Sequence, residues 1–288
     1  MGAIGQHAEA WTEFWRDQGQ SNGCCAYAQE IQRPIHAHWN SFARLLHPGS
    51  HVLDLGCGMG SAARAVTTAN SLLKVTGVDF AAVPASGDPQ IDICANTRME
   101  KLPFSESNFD AAISQFGFEY ASVEQAASEL ARVLRPGAPF SFLVHHSEAR
   151  IASDSVRHRK ALEAISGPVL EAAFLSGDAA ALDRHLSAIR RQLPYERIVD
   201  EAGQGLRRHI GLAPSHRTEI WRAVKAALAP ELVMLADLEA SSVLPDRMQG
   251  WLRPLAKGFE LRSPVELKMA NGQSLCWQVE GVRRSTLH

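Results

Sequence analysis

No window of 18 consecutive apolar residues occurs in this chain, so the sequence carries no signal for a membrane-spanning helix. Charge of one sign is missing too: 29 Lys and Arg stand against 31 Asp and Glu, a net of -2. That balance gives no long-range pull on nucleic acid or on an anionic membrane, and it demotes both as partners. Glycine and proline, 21 and 14 of 288 residues, are too few for collagen-like or low-complexity designs. No internal repeat is visible. Cysteines number five (Cys24, Cys25, Cys57, Cys94 and Cys276), and no Cys-x-x-Cys spacing appears among them. An odd count with one adjacent pair points to reduced thiols and away from a disulfide frame or a metal site. Residues Met1 to Gln6 have neither the basic stretch nor the apolar core of an export signal, and Gln6 stands where acylation wants Ser or Thr. The expectation is a cytoplasmic protein.

What is present is an ordinary globular composition, 45% apolar and 21% charged. A folded chain of this size buries roughly three quarters of its unfolded surface and needs no staple. Trp11, Phe14 and Trp15, then Ile35, Trp39, Phe42 and Leu46, recur at helical spacing and predict a helical arm over 1–47, broken by the polar loop Gln18 to Gly23. From His51 the period changes. Strands are expected at His51–Leu55, Leu72–Val78, Ile91–Cys94, Phe109–Ser114 and Phe140–Val144, with helices at Ser61–Ala69 and Val123–Leu134. Strands alternating with helices imply a parallel sheet covered on both faces. Residues 147–244 read as helices punctuated by Pro194, Pro214 and Pro230, with stretches such as Ala179–Leu193 and Ser215–Leu228. Near the end, Val265–Ala270 and Gln273–Val279 flank Asn271-Gly272, a strong two-residue hairpin signal.

The run Val52-Leu53-Asp54-Leu55-Gly56-Cys57-Gly58-Met59-Gly60 is a strand, a glycine-rich turn and a helix start. Such a turn lets backbone approach a ligand, and the helix N-terminus offers free N–H donors. Asp54, two residues before the first glycine, suits a ligand with an ammonium group better than a pyrophosphate. Asp79 ends the next strand, where a carboxylate can accept both hydroxyls of a ribose.

With Val75-Thr76-Gly77-Val78-Asp79-Phe80, Glu100-Lys101-Leu102-Pro103-Phe104, Asn108-Phe109-Asp110 and Leu130 to Gly137, the chain resembles the class I S-adenosylmethionine-dependent methyltransferases. It is most similar to the small-molecule branch that includes the ubiquinone and menaquinone methyltransferases. The likeness covers about residues 50 to 146 and the terminal hairpin. It implies an α/β fold, a doubly wound Rossmann-like sheet ending in an antiparallel hairpin. The arm 1–47, the cofactor domain 48–146 with 251–288, and a helical lid insertion 147–250 would complete it. It implies S-adenosyl-L-methionine as cofactor and S-adenosyl-L-homocysteine as product. By position, Asp54, Gly56, Cys57, Gly58 and Gly60 would wrap the methionyl part and Asp79 the ribose. Phe80 would stack on the adenine side, and Ser114 and Gln115 would floor the methionyl group. Two departures stand out. The loop Ala81–Gln90 replaces a helix usual in the family, and Arg98 fills a slot usually held by Asp, leaving backbone and Met99 to hold adenine.

Methyl transfer is an in-line displacement in which positioning supplies much of the rate, and a base helps when the acceptor is protonated. The tips of the fourth and fifth strands face the acceptor in this fold. Glu119, Tyr120, His145 and His146 are therefore the catalytic candidates, with His146 favoured over His145. Strand capping by the histidines and simple packing by Tyr120 are the alternatives. Cys24-Cys25 and His36-x-His38 are set aside as metal sites, the latter because its imidazoles leave the helix on different faces. Nine basic against five acidic residues between Asp183 and Lys225 read as a solvated face or as arginines that hold an acceptor anion. The expected partner is a small-molecule acceptor methylated on oxygen or nitrogen. A peptide carboxylate or RNA acceptor is the alternative, and a non-catalytic cofactor-binding subunit is the reading from another class.

Overall fold

The computed structural model describes residues 3–18 and 29–285. The readings made of Cys24, Cys25 and the loop from Gly19 to Gly23 concern residues outside that set. The chain divides into two compact units, one of residues 1–152 with 240–288, the other of residues 153–239.

The first unit opens with two helices, α1 (Ala3–Gln18) and α2 (Gln29–Leu45), before the strand β1 (His51–Leu55). Then follow α3 (Ser61–Ala69), β2 (Lys74–Val78), β3 (Ile91–Cys94), β4 (Ala111–Gln115), α4 (Val123–Val133) and β5 (Pro139–Val144). The strand order is β3-β2-β1-β4-β5 and then two late antiparallel strands. Pairing is parallel from β3 through β5, with Val52 opposite both Val75 and Ala111. The order reverses between β1 and β4, so their carboxyl ends splay and open a crevice, the usual place for a ligand in such sheets.

Both faces of the sheet are buried, which is why its strands read as near-continuous apolar runs. Leu53, Leu55, Phe140 and Phe142 pack with Phe118 and Leu130 in one cluster. Val52, Val75, Ile113 and Leu143 pack with Trp39, Phe42 and Val66 in the other. Neighbours such as Val52 and Leu53 thus serve opposite faces. Arg132 on α4 explains why two distant sequence stretches occur together. Its guanidinium pairs with Glu129 and donates to the Phe104 carbonyl at 2.6 Å and the Leu102 carbonyl at 3.0 Å.

The end of the chain returns to this sheet through α10 (Met248–Gly258), β6 (Phe259–Leu261), β7 (Val265–Lys268) and β8 (Ser274–Arg283). β8 runs antiparallel to β5, with Phe142 opposite Val279, and takes β6 and β7 as further antiparallel partners. Gly272 adopts φ +83° in the β7–β8 turn, the left-handed conformation its hairpin needs. Where the chain re-enters, the Val243 N–H donates to the His145 carbonyl at 2.8 Å. The Val243 carbonyl in turn accepts from Ser147 N–H and from the Trp277 indole.

The second unit is helical throughout its described elements. α5 (Arg150–Ser166) leads into it, followed by α6 (Pro168–Ser176), α7 (Ala179–Gln192), α8 (Arg197–His209) and α9 (Pro214–Ser241). Leu162, Phe174, Leu182, Leu186, Leu206 and Trp221 form its core. The sequence predicts a break near Pro230, yet α9 continues through it. The apolar face of Leu228, Leu232 and Leu235 runs on past the proline and packs on that core, and burial outweighs one missing helix hydrogen bond. Part of the basic stretch is paired within this unit. Arg207 pairs with Asp183, Arg190 with Asp200 and Lys225 with Glu171. The buried Arg217 donates to the carbonyls of Leu175, Ile210 and Leu212.

Candidate active site

The glycine turn after β1 is locked against the neighbouring strands. Gly56 and Cys57 N–H groups both donate to the Val78 carbonyl, at 2.9 and 3.0 Å. Gly56 packs on Gly117 so closely that a Cβ on it would stand 2.8 Å from Gly117 Cα. Asp79, at the end of β2, accepts the Gly58 N–H at 2.7 Å and the Ala81 N–H at 2.9 Å. Burial raises its carboxyl to about 6, and those two backbone donors hold it from going higher. The Cys57 thiol, turned against Gly77, is driven upward by burial and by the two nearby aspartates.

Asp54 bears a heavier electrostatic cost. It is 1% exposed, and neither carboxylate oxygen meets a hydrogen-bond partner among the described residues. Burial first, then the charge of Asp79, pushes its pKa to about 7, with the Ala63 backbone amide giving only partial relief. A buried carboxylate left this way costs stability unless something else supplies its counter-charge.

Asp54 lines a narrow recess together with Gly56, Cys57, Met59, Gln115 and Phe116, and α1 closes it with Trp11 and Trp15. Trp15 lies across Gly58, where a Cβ would stand within 2.6 Å of its ring atom Cη2. α1 is pinned there by Thr12, whose hydroxyl accepts the Ala82 N–H at 2.9 Å. Trp15 and Met59 also line a second recess of about 970 Å³, with Ala82, Val83, Pro84, Ala95 and Asn96. The loop Ala81–Gln90, without its helix, supplies that wall. Phe80 is half-buried and Met99 packs against the core, while Arg98 is exposed and pairs with Glu100 at 3.1 Å.

At the end of β4 the two expected floor residues part company. Ser114 is fully buried, its hydroxyl donating to the Leu55 carbonyl at 2.7 Å and accepting the Phe118 N–H at 3.0 Å. Gln115 reaches the recess, and its amide oxygen accepts the Trp39 indole N–H at 2.6 Å. Phe116 follows at φ +57°, a left-handed conformation costly for an aromatic residue.

Beyond β5 the two histidines diverge. His145 Nδ1 lies 2.8 Å from Glu119 Oε1, and the same oxygen accepts the His145 backbone N–H at 2.8 Å. Both side chains are fully buried, and neither His145 ring nitrogen nor Glu119 Oε2 makes a hydrogen bond among the described residues. Phe116, which lines the recess, stacks on the His145 imidazole with centroids 4.4 Å apart. Tyr120 packs edge-on to both His145 and Trp11. His146 instead stacks on Trp277 at 4.3 Å, and its Nδ1 accepts the Glu148 N–H. Burial lowers its pKa, offset by Glu266 and Glu148. Among the described residues no group of three or more His, Cys, Asp or Glu is arranged to hold a metal. His38 is buried on Ser141 while His36 is exposed. No described helix is long and apolar enough to cross a membrane.

Sequence reasoning passed over Trp39, Phe116 and Gly117. The Phe116-Gly117 pair directly after a buried strand was the available signal for the last two, since glycine there lets two turns touch.

Comparison with known proteins agrees with this geometry. Residues 53–142 match a family model described as a methyltransferase domain. Over 131 residues the chain is 31% identical to the sterol 24-C-methyltransferase erg6 of Schizosaccharomyces pombe, covering 40% of this chain and 32% of that protein. It is 30% identical over 152 residues to the malonyl-[acyl-carrier protein] O-methyltransferase of Enterobacter lignolyticus, covering 51% and 57%. The matched part thus spans about a third of the first relative's length and little over half of the second's. The fold is also that of 1,6-didemethyltoxoflavin-N1-methyltransferase from Burkholderia thailandensis, solved with S-adenosylhomocysteine. There the TM-score is 0.50 at 13% identity, over 99% of this chain and 92% of that one.

Fold, glycine turn and family match together mark residues 53–142 as a class I S-adenosylmethionine-dependent methyltransferase domain. Its cofactor is S-adenosylmethionine. The residues fit it: a glycine cradle with no room for a Cβ stands beside the unpartnered Asp54 carboxylate.

Proposed function

We propose that this chain moves the methyl group of S-adenosylmethionine to an oxygen or nitrogen of a small molecule. The observation that carries the reading is the buried Glu119–His145 pair behind Phe116, whose ring lines the glycine-turn recess and stacks on the imidazole. The cofactor supplies a methyl on a sulfonium, whose S–CH₃ bond breaks as the acceptor's bond to carbon forms, leaving a neutral thioether. Asp54, Gly56 and Gly58 hold the methionyl part, and Asp79 holds the ribose through its remaining lone pairs. His145 takes the acceptor's proton at Nε2. Glu119, 2.8 Å from Nδ1, steadies the imidazolium that forms. The same strand end gives His146 to Trp277, which favours His145 as the base.

The relatives carry names that place their methyl on carbon or oxygen, and the toxoflavin neighbour's on nitrogen. A buried base favours the protonated oxygen and nitrogen acceptors. Isotopically methyl-labelled cofactor with host extract tests this. Label in a low-mass compound on oxygen or nitrogen supports the reading, whereas label confined to protein, RNA or a carbon atom, or none at all, overturns it.

A further inference from the structure

The proposed reaction leaves His146 without a task, although its ring is buried and held from several sides. It lies flat on Trp277 of β8, with centroids 4.3 Å apart and planes inclined by only 4°. Nε2 stands 3.8 Å from Glu266 Oε1 on β7, and Glu266 pairs in turn with Lys268 at 3.4 Å. Nδ1 accepts the Glu148 backbone N–H at 3.1 Å, within the turn that leaves β5. That last contact settles the tautomer. A ring nitrogen that accepts an N–H carries no proton, so the neutral ring keeps its proton on Nε2, facing Glu266. Backbone bonds close the same turn, from Ala149 N–H to the His146 carbonyl at 3.0 Å and from Ser147 N–H to the Val243 carbonyl at 3.3 Å. The Trp277 indole donates to that Val243 carbonyl as well, at 3.1 Å. None of these residues lines the glycine-turn recess.

We propose that His146 is an acid-released pin on the turn between β5 and α5. Neutral, it fastens the Glu148 amide through Nδ1. Protonated, it carries an N–H on the atom that has to accept, and the amide is let go. The ring itself stays, because an imidazolium gains from the indole face beneath it and from the carboxylate beside Nε2. Burial opposes the charged ring most strongly, while Glu266 on β7 and Glu148 on the turn favour it. Lys268 on β7 draws part of the Glu266 charge away, and β8 presents the uncharged Trp277. The folded-state pKa accordingly lies below the ordinary 6.5. The pin's contribution is therefore complete above pH 6.5 and fades as pH falls below it. The turn keeps its backbone bonds when the ring lets go, so the response is a loosening where the helical insertion begins, and not unfolding.

The test is long-range proton–nitrogen NMR with amide hydrogen exchange, on the full chain, between about pH 7.5 and 5. At the upper end the His146 ring should show Nε2 protonated and Nδ1 bare, its signals assigned by their loss in His146→Phe. On acidification the Glu148 amide should lose about 2- to 10-fold of its protection, measured against the unstructured-chain rate at each pH. The amides of the β5–β8 ladder should keep theirs. His146→Asn offers a side-chain oxygen to the same amide two residues on and cannot titrate, so its Glu148 protection should be flat with pH. His146→Phe keeps a ring on Trp277 but no acceptor, and its Glu148 amide should be poorly protected throughout. A proton on Nδ1 at the upper pH, Glu148 protection in the unaltered chain that ignores pH, or an acid loss that persists in His146→Asn would overturn the pin.

Discussion

One oxygen of Glu119 holds the His145 backbone and lies against its ring. Glu119 Oε1 accepts the His145 backbone N–H at 2.8 Å and stands 2.8 Å from Nδ1 of the same residue's ring. The carboxylate that holds the strand-end backbone is therefore also the charge nearest the ring. Glu119→Gln keeps an acceptor of the same shape but removes the charge. It should slow turnover by about tenfold or more, and His145→Ala by about 10²–10⁴, the range for positioned proton transfer. Cofactor affinity should hold in both. Single-turnover rates with the labelled acceptor, beside calorimetry, check this, and a loss under about threefold for His145→Ala would leave positioning alone as the mechanism.

Asp54 makes cofactor binding depend on pH. Its folded-state pKa is raised to about 7 from 3.8, so the apo protein holds a proton there that the unfolded chain has released. Apo stability from this group therefore falls as pH rises from about 4 to 7. An ammonium ligand reverses the preference by favouring the ionised carboxylate. S-adenosylhomocysteine affinity should climb as pH rises through 7 and then level off, and Asp54→Asn should bind more weakly with a flat profile. A Kd series from pH 5.5 to 8.5 on both proteins decides it.

The contact of Trp15 with Gly58 gives a third test. Gly58→Ala places a methyl in the Trp15 ring and forces a left-handed φ of +48° on alanine, a change expected to cost about 1–3 kcal/mol. Adding Trp15→Ala should relieve the collision but not the backbone strain. Chemical denaturation of the single and double variants should show partial recovery, and no recovery would mean that the ring does not rest on the turn.

In the helical unit, His158 sits 3.1 Å from both Glu196 and Glu231, and its pKa is lifted to about 9, chiefly by Glu231. Its folded pKa lies above the unfolded value of 6.5. The stabilisation is therefore complete below pH 6.5 and fades as pH rises through 9. His158→Gln should lower the unfolding midpoint at pH 6 and have little effect at pH 9.5, which thermal melts at the two pH values will show.

Much of this was legible in the chain itself. The β1–α3–β2 segment, the hairpin at Asn271-Gly272 and the Asp54, Asp79 and glycine set follow from strand periodicity and turn chemistry, which are local. Three features were not local. Glu119 and His145 are separated by 25 intervening residues, and nothing in either flank marks their pairing; the sequence favours His146 over His145 only weakly, because a strand buried on both faces gives no phase. Trp39 reads as a core residue, which it is, and its second task rests on one N–H reaching β4. Pro230 reads as a helix end because local chemistry says so, and only the apolar face continuing beyond it reverses that.

The stitch at Val243 has a wider meaning. The chain departs from the sheet at His146 and re-enters at Val243, and those two points form a bridge in which Val243 bonds to the residues on either side of His146. Whatever lies between them is, for the sheet, a closed detour. Its length adds only a slowly growing closure cost, about 0.6 kcal/mol for each doubling. Shortening, lengthening or exchanging it removes none of the sheet's own ladder bonds. A graft joined at that stitch starts with both its ends already in register.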